Sequence, residues 1–502
     1  MCHISERQAS GAPGLDQVLY GGFAPNQMCL IQGYSGTGKT TLCLQFLLEG
    51  ARRGQRSLYI STSETLEETR EIAHSHNWSL DGVELRHHPV TGSDEPVRPG
   101  PSQTMLHPAE VELPHIIESL ITDIGTAAPE RVVIDSLSEI RLLAREDAWY
   151  QRQLMALKRF FQACRCTVLL TDTVVEKNSV LETIVGTIIR LSTVDTTYGP
   201  IRRRLLVDKR RAYPYASGYH DYRIETGGMR VFPRLSAPGK AQEGEPGKVT
   251  SGIAALDALL GGGLDRGSST LVVGQSGTGK SSLVMQFALA CAERERGVLV
   301  YCFDERQQSY IERAKGLGMD IEGHMREERI LLRTIEPAEL SAGEFSDLVA
   351  RTVDATCPCL VIIDSLDGYA YALPNEKYLS VHLHELTSYL AQKNIVTLST
   401  LNRTSFGEFW CVIHPRLGTS YVADTVMDLR FFEFRGAVRK LMSLHKRRSG
   451  PHELTVRELW MDATGLHVSP VIHEFDHLTT ATPRYFGESL PEVRTFDNHG
   501  ES

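Results

Sequence analysis

Residues 33–40 read Gly33-Tyr34-Ser35-Gly36-Thr37-Gly38-Lys39-Thr40, an octapeptide that matches the pattern G-x-x-x-x-G-K-[ST]. The mainly apolar residues 28–32 before it predict a buried strand, and residues 41–48 after it predict a helix. In that context the glycines let backbone N–H groups surround phosphate oxygens, and the helix N-terminus adds a positive dipole end. The octapeptide therefore predicts a phosphate-binding loop.

The same pattern occurs again at Gly274-Gln275-Ser276-Gly277-Thr278-Gly279-Lys280-Ser281, between a predicted strand (270–273) and a predicted helix (282–289). A chance glycine turn does not account for two such loops in one chain. In each loop the lysine is expected to reach the β- and γ-phosphates, and the next hydroxyl to ligate Mg²⁺. The predicted nucleotide-binding residues are Gly33, Ser35, Gly36, Thr37, Gly38, Lys39, Thr40, Thr41, Gly274, Ser276, Gly277, Thr278, Gly279, Lys280, Ser281 and Ser282.

The two loops belong to a longer internal repeat. Lys39 and Lys280 are 241 positions apart (280 minus 39), whereas Asp135 and Asp364, which both end an apolar run, are 229 apart (364 minus 135). The first copy therefore carries about 12 extra residues (241 minus 229), which we assign to the Pro/Gly/Ser-rich segment 87–103. A repeat of this length indicates a duplicated domain rather than two unrelated ones.

Apolar strands alternate with helical patterns in both copies, which predicts an α/β fold with two mostly parallel sheets flanked by helices. The chain of 502 residues is too long for one core and fits two domains. We expect a first domain at 1–235, a linker at 236–248, a second domain at 249–480 and a mobile tail at 481–502. Further predicted strands are 57–61, 131–134 and 167–171 in the first copy and 298–302, 360–363 and 395–400 in the second.

The net charge of −9 argues against a protein that mainly wraps nucleic acid. Ten cysteines without a C-x-x-C pair do not indicate a zinc or disulfide framework, and Cys164, Cys166, Cys357 and Cys359 are expected to be buried thiols. The N-terminus lacks an apolar signal region, and no run approaches the roughly 18 apolar residues of a membrane span. These features predict a cytoplasmic protein in a reducing compartment, with no membrane partner.

Asp135 and Asp364 follow apolar strands, and in an open α/β sheet such a carboxylate lies beside the phosphate loop, where it holds Mg²⁺ through water. An aspartate that only caps the next helix is the alternative, and it is weakened by the upstream loop in both copies. The predicted metal residues are Thr40, Asp135, Ser281 and Asp364. The phosphate loops and these metal residues together indicate ATP or GTP binding.

In this arrangement the chain resembles the double-domain KaiC proteins of the RecA-like ATPase superfamily, known as circadian clock ATPases and autokinases. The resemblance covers roughly residues 5–470. Its motifs are S-G-x-x-x-L-D…G-G before each loop, the loops themselves, the I-D-S strand ends and two K-x-R segments. It implies ATP and Mg²⁺ as ligands, a homo-oligomeric ring, hexameric in the family, and regulatory protein partners.

The resemblance also implies a catalytic pair of glutamates after the second strand, the first of which activates the attacking water. The matching positions are Ser63 and Glu64 in the first copy and Asp304 and Glu305 in the second. Because Ser63 cannot act as a base, the first site is expected to use Glu64 or to hydrolyse slowly. The candidate catalytic residues are therefore Glu64, Asp304 and Glu305, with ordinary strand-end carboxylates as the alternative.

Each copy closes on a segment similar to the family's K-x-R, in which Lys and Arg reach the γ-phosphate bound by the neighbouring subunit. The residues are Lys209 and Arg211 in the first copy and Lys446 and Arg448 in the second. A solvated basic turn is the alternative. Six basic residues lie between positions 202 and 211, so nucleic-acid contact is a further option, which the net negative charge disfavours.

The family's second copy carries a Ser-Thr pair that accepts phosphate from ATP. An ungapped match from Lys446 places this pair on Ser420 and Tyr421, so the threonine is replaced, and Thr419 is a neighbouring hydroxyl. The candidate phosphoacceptors are Ser420 and Thr419, and a serine near an interface without this role is the alternative.

Together these features predict a slow, ring-forming ATPase with serine/threonine autophosphorylation as a further expectation for the second copy. Two competing functions stay open at this point. A nucleic-acid motor of the RecA or DnaB type requires that the basic cluster 202–211 line a channel. A switch that binds ATP to assemble and presents surfaces to a partner, without turnover, is favoured by Ser63.

Overall fold

The computed structural model describes residues 7–88, 108–144, 147–173, 180–194, 199–235, 247–294, 297–336, 339–372, 379–402, 423–434, 436–450, 452–473, 475–476 and 484–485. The chain forms two compact units, 1–234 and 235–502. Each is an α/β domain, as the alternating pattern predicts. No helix in the described ranges combines the length and apolar character needed to cross a membrane.

The first unit contains seven helices and nine strands among its described residues. The helices are α1 (Leu15–Val18), α2 (Lys39–Arg52), α3 (Leu66–Ser75), α4 (Pro108–Ala127), α5 (Leu137–Leu142), α6 (Asp147–Cys164) and α7 (Val180–Ile184). The strands are β1 (Met28–Gly33), β2 (Ser57–Ser61), β3 (Val83–His87), β4 (Arg131–Asp135), β5 (Thr167–Asp172), β6 (Thr187–Val194), β7 (Arg202–Arg210), β8 (Tyr219–Glu225) and β9 (Gly228–Phe232).

The second unit contains seven helices and thirteen strands among its described residues. Its helices are α8 (Ala254–Leu259), α9 (Lys280–Arg294), α10 (Gln307–Gly316), α11 (Ile321–Arg326), α12 (Ala342–Thr356), α13 (Leu366–Ala372) and α14 (Leu379–Gln392). Its strands are β10 (Lys248–Val249), β11 (Leu264–Asp265), β12 (Ser269–Gly274), β13 (Val298–Cys302), β14 (Ile330–Thr334), β15 (Leu360–Asp364), β16 (Val396–Asn402), β17 (Thr425–Phe434), β18 (Ala437–Arg447), β19 (Val456–Asp462), β20 (Gly465–Val471), β21 (Phe475–Asp476) and β22 (Arg484–Tyr485).

Each unit is built on a nine-stranded sheet with the same strand order. The order is β3-β2-β4-β5-β1-β6-β7-β8-β9 in the first unit and β14-β13-β15-β16-β12-β17-β18-β19-β20 in the second. The first six strands of each sheet are parallel, and the last three join by antiparallel pairing. The loop-bearing strand is therefore central, and a separate apolar cluster covers each face of the sheet.

Several predicted boundaries move by a few residues. Asp135 and Asp364 are the last residues of β4 and β15 rather than the residues after them. Lys248, assigned to the linker, pairs in β10 with Asp265, and Arg484–Tyr485, assigned to a mobile tail, pairs with Phe475–Asp476. These short pairings carry no periodicity that a sequence reading could detect. The rest of the predicted tail, most of the linker and most of the insertion 87–103 lie outside the described residues.

The expectation for the cysteines is wrong at three of the four positions. Cys359 forms a disulfide with Cys291, because α9 packs on β15 and brings the two sulfurs together. Cys164 ends α6 and Cys357 follows α12, so both thiols are exposed at helix ends. Cys166 is a buried thiol as expected.

A buried arginine ties the start of the first unit to its sheet. Arg131, at the start of β4, is fully buried. Its guanidinium donates to the carbonyl oxygens of Ala9 and Phe46, both at 2.7 Å, and to the side-chain oxygens of Gln8 (2.9 Å) and Gln55 (2.7 Å). Four hydrogen bonds satisfy a charge that would otherwise be costly to bury.

Arg131→Leu should therefore destabilise the first unit by about 3 kcal/mol, because it removes four hydrogen bonds, two of them to buried carbonyl oxygens. Differential scanning calorimetry measures this as a lower Tm. Arg53→Leu is the matched control, since Arg53 pairs with Glu49 at 2.6 Å but its side chain is 52% exposed, and it should shift Tm little. Equal melting of wild type and Arg131→Leu would show that the buried guanidinium does not stabilise the unit.

Candidate functional site

The first phosphate loop leaves β1 and ends at the N-terminus of α2. Gly38 precedes that helix with φ 90°, and a Cβ there would lie 2.4 Å from Ile224 Cδ1, so only glycine fits. No side chain among the described residues caps the helix, and the first turn of the helix holds no acidic residue. Its free N–H groups and positive dipole end therefore favour an anion.

Lys39 is anchored over this loop. Its Nζ donates to the carbonyl oxygens of Gly33 (2.8 Å) and Tyr34 (3.2 Å). Burial lowers the pKa of Lys39, and the nearby carboxylates of Asp135, Asp172 and Glu64 counter this shift. Lys39 Nζ is thus held at the loop by two backbone carbonyl oxygens, whose place a phosphate oxygen can take.

The hydroxyl that follows the lysine meets the predicted metal carboxylate. Thr40 Oγ1 donates to Asp135 Oδ2 at 2.8 Å, and Tyr59 Oη donates to the same oxygen at 2.9 Å. Thr171 Oγ1, from the neighbouring strand β5, donates to Asp135 Oδ1. Three hydroxyls therefore orient one buried carboxylate at the carboxyl edge of the sheet, which brings together Thr40 and Asp135, two of the residues predicted to hold the metal.

The second copy repeats this arrangement. Lys280 Nζ donates to the carbonyl oxygens of Gly274 and Gln275, both at 2.9 Å, and to Asn402 Oδ1 at 2.7 Å. Thr400 Oγ1 donates to Asp364 Oδ1. Burial raises the pKa of Asp364, and hydrogen bonds from Thr400 and Ser281 counter this shift. The predicted pair Ser281 and Asp364 is thus also brought together.

Both constellations suit Mg²⁺. Each offers a hydroxyl and a carboxylate oxygen, which are hard ligands, and no group of three or more His, Cys, Asp or Glu side chains forms a metal cage within the described ranges. Mg²⁺ is typically held by one or two protein oxygens together with substrate phosphates and water. Thr40 with Asp135, and Ser281 with Asp364, are the residues that would hold it.

The catalytic candidates differ between the copies. Glu64 follows β2 and is half-buried, and no described group donates a hydrogen bond to its buried Oε2. Burial raises the pKa of Glu64, and Asp135 raises it further. Ser63 beside it is exposed. The first copy therefore presents one carboxylate that lacks a hydrogen-bond donor at this oxygen.

In the second copy both members of the pair have partners. Ser365 Oγ donates to Asp304 Oδ2. Arg313 Nη1 donates to Glu305 Oε2 at 2.5 Å, which makes an ion pair. Asp304 is exposed, whereas Glu305 is partly buried under the arginine.

Sequence reasoning missed a further carboxylate near each lysine. In the first copy it is Asp172, at the end of β5, which accepts from Ser138 Oγ at 2.6 Å; burial raises the pKa of Asp172. In the second copy it is Asp367 on α13, which accepts from the backbone N–H of Asn402 at 2.5 Å. Asp172 and Asp367 occupy different positions of the repeat, so alignment of the two copies could not reveal them.

The K-x-R segments lie towards the amino ends of the parallel strands, whereas the phosphate loops lie at the carboxyl ends. Across the sheet, Lys209 on β7 pairs with Ile188 on β6, and Ile188 pairs with Leu30 on β1. Lys209 is therefore level with Leu30, which lies three residues before Gly33. That is about 10 Å along the strand from the start of the loop. Lys209 Nζ donates to the Glu182 carbonyl, at the amino end of β6 and away from its own phosphate loop.

The remaining cations of these segments follow the same pattern. Arg211 Nη2 donates to the Thr183 carbonyl at 2.8 Å. Lys446 Nζ donates to the Ala423 carbonyl at 2.7 Å, and Arg448 Nη1 contacts Asp424 Oδ1 at 3.4 Å. In both copies the lysine and the outer arginine therefore lie together, and neither group is placed at the loop of its own copy.

The middle arginine of each segment is structural. Arg210 is buried and donates to the carbonyl oxygens of Pro214 (2.9 Å) and Gly22 (2.6 Å). Arg447 donates to Asp265 Oδ2 at 2.9 Å. In the basic cluster 202–211, Arg204 pairs with Asp221 at 3.4 Å. The six cations of that cluster thus do not form one exposed basic stripe.

The candidate phosphoacceptors Ser420 and Thr419 lie outside the described residues, as does Tyr421. Residues Ala423 and Asp424, which follow them, contact Lys446 and Arg448.

Comparison with known proteins agrees with this arrangement. A family model described as "ATPase: KaiC" matches residues 8–236 and 249–471. The chain is 26% identical over 481 residues to the circadian clock oscillator protein KaiC of Synechococcus elongatus, covering 94% of this chain and 90% of the relative. It is 24% identical over 494 residues to the circadian clock protein KaiC3 of a Synechocystis species, covering 97% and 96%. The chain therefore belongs to the KaiC ATPase family, with one family domain in each half.

Proposed function

We propose that this protein is a slow ATPase that binds Mg·ATP in both copies and assembles into a ring, a hexamer by family resemblance. The observation that supports hydrolysis best is the duplicated set of phosphate loop, lysine, hydroxyl and strand-end aspartate. Thr40 with Asp135 and Ser281 with Asp364 recur at the same sheet edge. Because both copies carry the same set of residues, we expect each chain to bind and hydrolyse ATP at two sites.

In the reaction, a water oxygen bonds to the γ-phosphorus as the bond from that phosphorus to the bridging oxygen breaks, and ADP leaves. Bound Mg²⁺ would neutralise charge on the phosphate oxygens. Lys39 or Lys280 orients the β- and γ-phosphates. Glu64 in the first copy and Asp304 in the second accept the proton of the attacking water. Turnover is slow because Ser63 and the shorter Asp304 replace the family's leading glutamate.

The position of the K-x-R cations supports the proposed assembly. Lys209 and Arg211 lie at the opposite sheet edge from their own loop, so they can stabilise a γ-phosphate only in a neighbouring subunit. Lys446 and Arg448 are placed in the same way. ATP bound between subunits gains these contacts only in the assembly, so it favours the ring. Regulatory proteins are further expected partners.

We also propose that the second copy phosphorylates itself on Ser420 or Thr419. The second copy offers the acceptor hydroxyl, an orienting carboxylate in Asp304 or Glu305, and two cations in Lys446 and Arg448. With Thr187 and Thr425, the first residues of β6 and β17, aligned, the first-copy position equivalent to Ser420 is Glu182, which has no hydroxyl.

Phosphate should accordingly appear only in the second copy after incubation with Mg·ATP. Mass spectrometry should find it on Ser420 or Thr419. It should be absent in Lys280→Ala and persist in Lys39→Ala once a high protein concentration restores assembly. An unmodified 410–430 peptide under conditions of ATP turnover would remove the kinase activity from the proposal.

A switch without turnover is the second candidate, and the replaced glutamate at Ser63 is the observation that favours it. γ-Labelled ATP separates the two, because products can be resolved into free phosphate and protein-bound phosphate. A motor is tested by adding single-stranded DNA, which should leave the ATPase rate unchanged.

A further inference from the structure

The two copies differ both in their candidate catalytic carboxylates and in one residue of the helix that follows them. The first copy has Ser63 and Glu64, with Ile72 on the following helix α3. The second has Asp304 and Glu305, followed by Arg313. Asp304 lies 241 positions after Ser63 (304 minus 63), and Arg313 lies 241 positions after Ile72 (313 minus 72), so Arg313 is the counterpart of Ile72. The internal repeat thus allows one site to be compared with the other.

Arg313 is held firmly against Glu305. Its Nη1 donates to Glu305 Oε2 at 2.5 Å, and its guanidinium carbon lies 4.9 Å from the ring centre of Tyr310. Tyr310 is buried, and its counterpart in the first copy is Thr69 (310 minus 241). The first copy therefore lacks both the cation and the ring on which that cation is stacked.

Two further atoms of the arginine, Nε and Nη2, are buried and have no hydrogen-bond partner in the part of the chain that the structure describes. Burying these donors has a cost, which the ion pair and the ring contact must offset. A carboxylate that accepts a charge-assisted hydrogen bond at this distance is a poor proton acceptor for water. Glu64, by contrast, has a buried oxygen, Oε2, that receives no hydrogen bond from any described residue.

We propose that Arg313 is a positioning residue that withholds Glu305 from catalysis, so that Asp304 serves as the proton acceptor of the second copy. The first copy shows the converse arrangement, because its leading carboxylate is absent and no described residue donates a hydrogen bond to Glu64 Oε2. This inference rests on the proposed ATP hydrolysis and specifies which carboxylate performs it in each copy.

The test is a regain of turnover in the full-length chain. The double variant Glu64→Gln/Asp304→Asn removes both proposed acceptors, and it is compared with the same variant carrying Arg313→Ile, the residue of the first copy. Release of Glu305 should raise phosphate release at least about 10-fold, through kcat with little change in KM. Structural damage cannot produce such a gain.

Two controls assign the gain. Arg313→Lys in the double variant keeps a cation beside Glu305 and should give no regain. Adding Glu305→Gln to the triple variant should abolish it. Binding of a fluorescent ATP analogue checks that each variant retains a folded site.

No increase from Arg313→Ile, in a variant that still binds the analogue, overturns the role of Arg313. An increase that survives Glu305→Gln overturns it as well. Failure of the proposed hydrolysis is recognised separately, since the wild-type chain would then bind ATP without releasing phosphate. If the wild-type chain releases phosphate, the comparison of the double and triple variants decides the role of Arg313.

Discussion

Asp304→Asn is expected to lower phosphate release by the second copy about 10²–10⁴-fold while ATP stays bound, the usual range for loss of a general base. The amide keeps the size of the side chain and can still accept from Ser365 Oγ, but it cannot take a proton from water. The phosphate loop is untouched, so KM should change little. Since the first copy lacks the leading carboxylate, this variant should remove most of the turnover of the whole chain.

Glu64→Gln applies the same change to the first copy and should remove the remaining turnover. Glu64 is half-buried with a raised pKa, and its Oε2 receives no hydrogen bond from the described residues, so this carboxylate is suited to accept a proton. Asp354→Asn is the matched control, because Asp354 forms a surface pair with Lys393 at 3.0 Å and its side chain is 59% exposed. If turnover survives Asp304→Asn and disappears with Glu64→Gln, the division of labour between the copies is the reverse.

Lys39→Ala and Lys280→Ala should each weaken ATP binding to their own site by about 10- to 100-fold. Each removes a charge-assisted hydrogen bond worth about 1.5–3 kcal/mol, and 1.4 kcal/mol corresponds to a factor of ten. Following the family's division of labour, Lys39→Ala should impair ring assembly more than Lys280→Ala.

Light scattering with and without ATP measures the size of the assembly. Lys393→Ala is the control, because this lysine contacts Asp354 at the surface of the second unit. A ring whose size is unchanged by ATP removal and by both loop substitutions would contradict nucleotide-driven assembly.

The fold could be predicted from sequence because its signals are local. The loops at 33–40 and 274–281 fix a strand before them and a helix after them, and β1 and α2, like β12 and α9, lie as expected. The pairs Thr40–Asp135 and Ser281–Asp364 also follow from this, since a central parallel strand places its loop beside the end of a nearby strand.

The parts that sequence could not predict depend on contacts between distant residues. Arg313 lies eight residues after Glu305 on a helix, and nothing in the local pattern shows that it pairs with that carboxylate. Asp172 and Asp367 come from different elements in the two copies. Cys291 and Cys359 meet only because α9 packs on β15, so their separation of 68 residues gave no signal.

The central claim, that two phosphate loops support slow ATP hydrolysis, is tested most directly by phosphate release from γ-labelled Mg·ATP. Wild-type chain is compared with the double variant Lys39→Ala/Lys280→Ala, in the presence of Mg²⁺ and of a chelator. The account predicts slow, Mg²⁺-dependent release of free phosphate by the wild type and none above background by the double variant. Tight ATP binding by the wild type without any release of phosphate would contradict it.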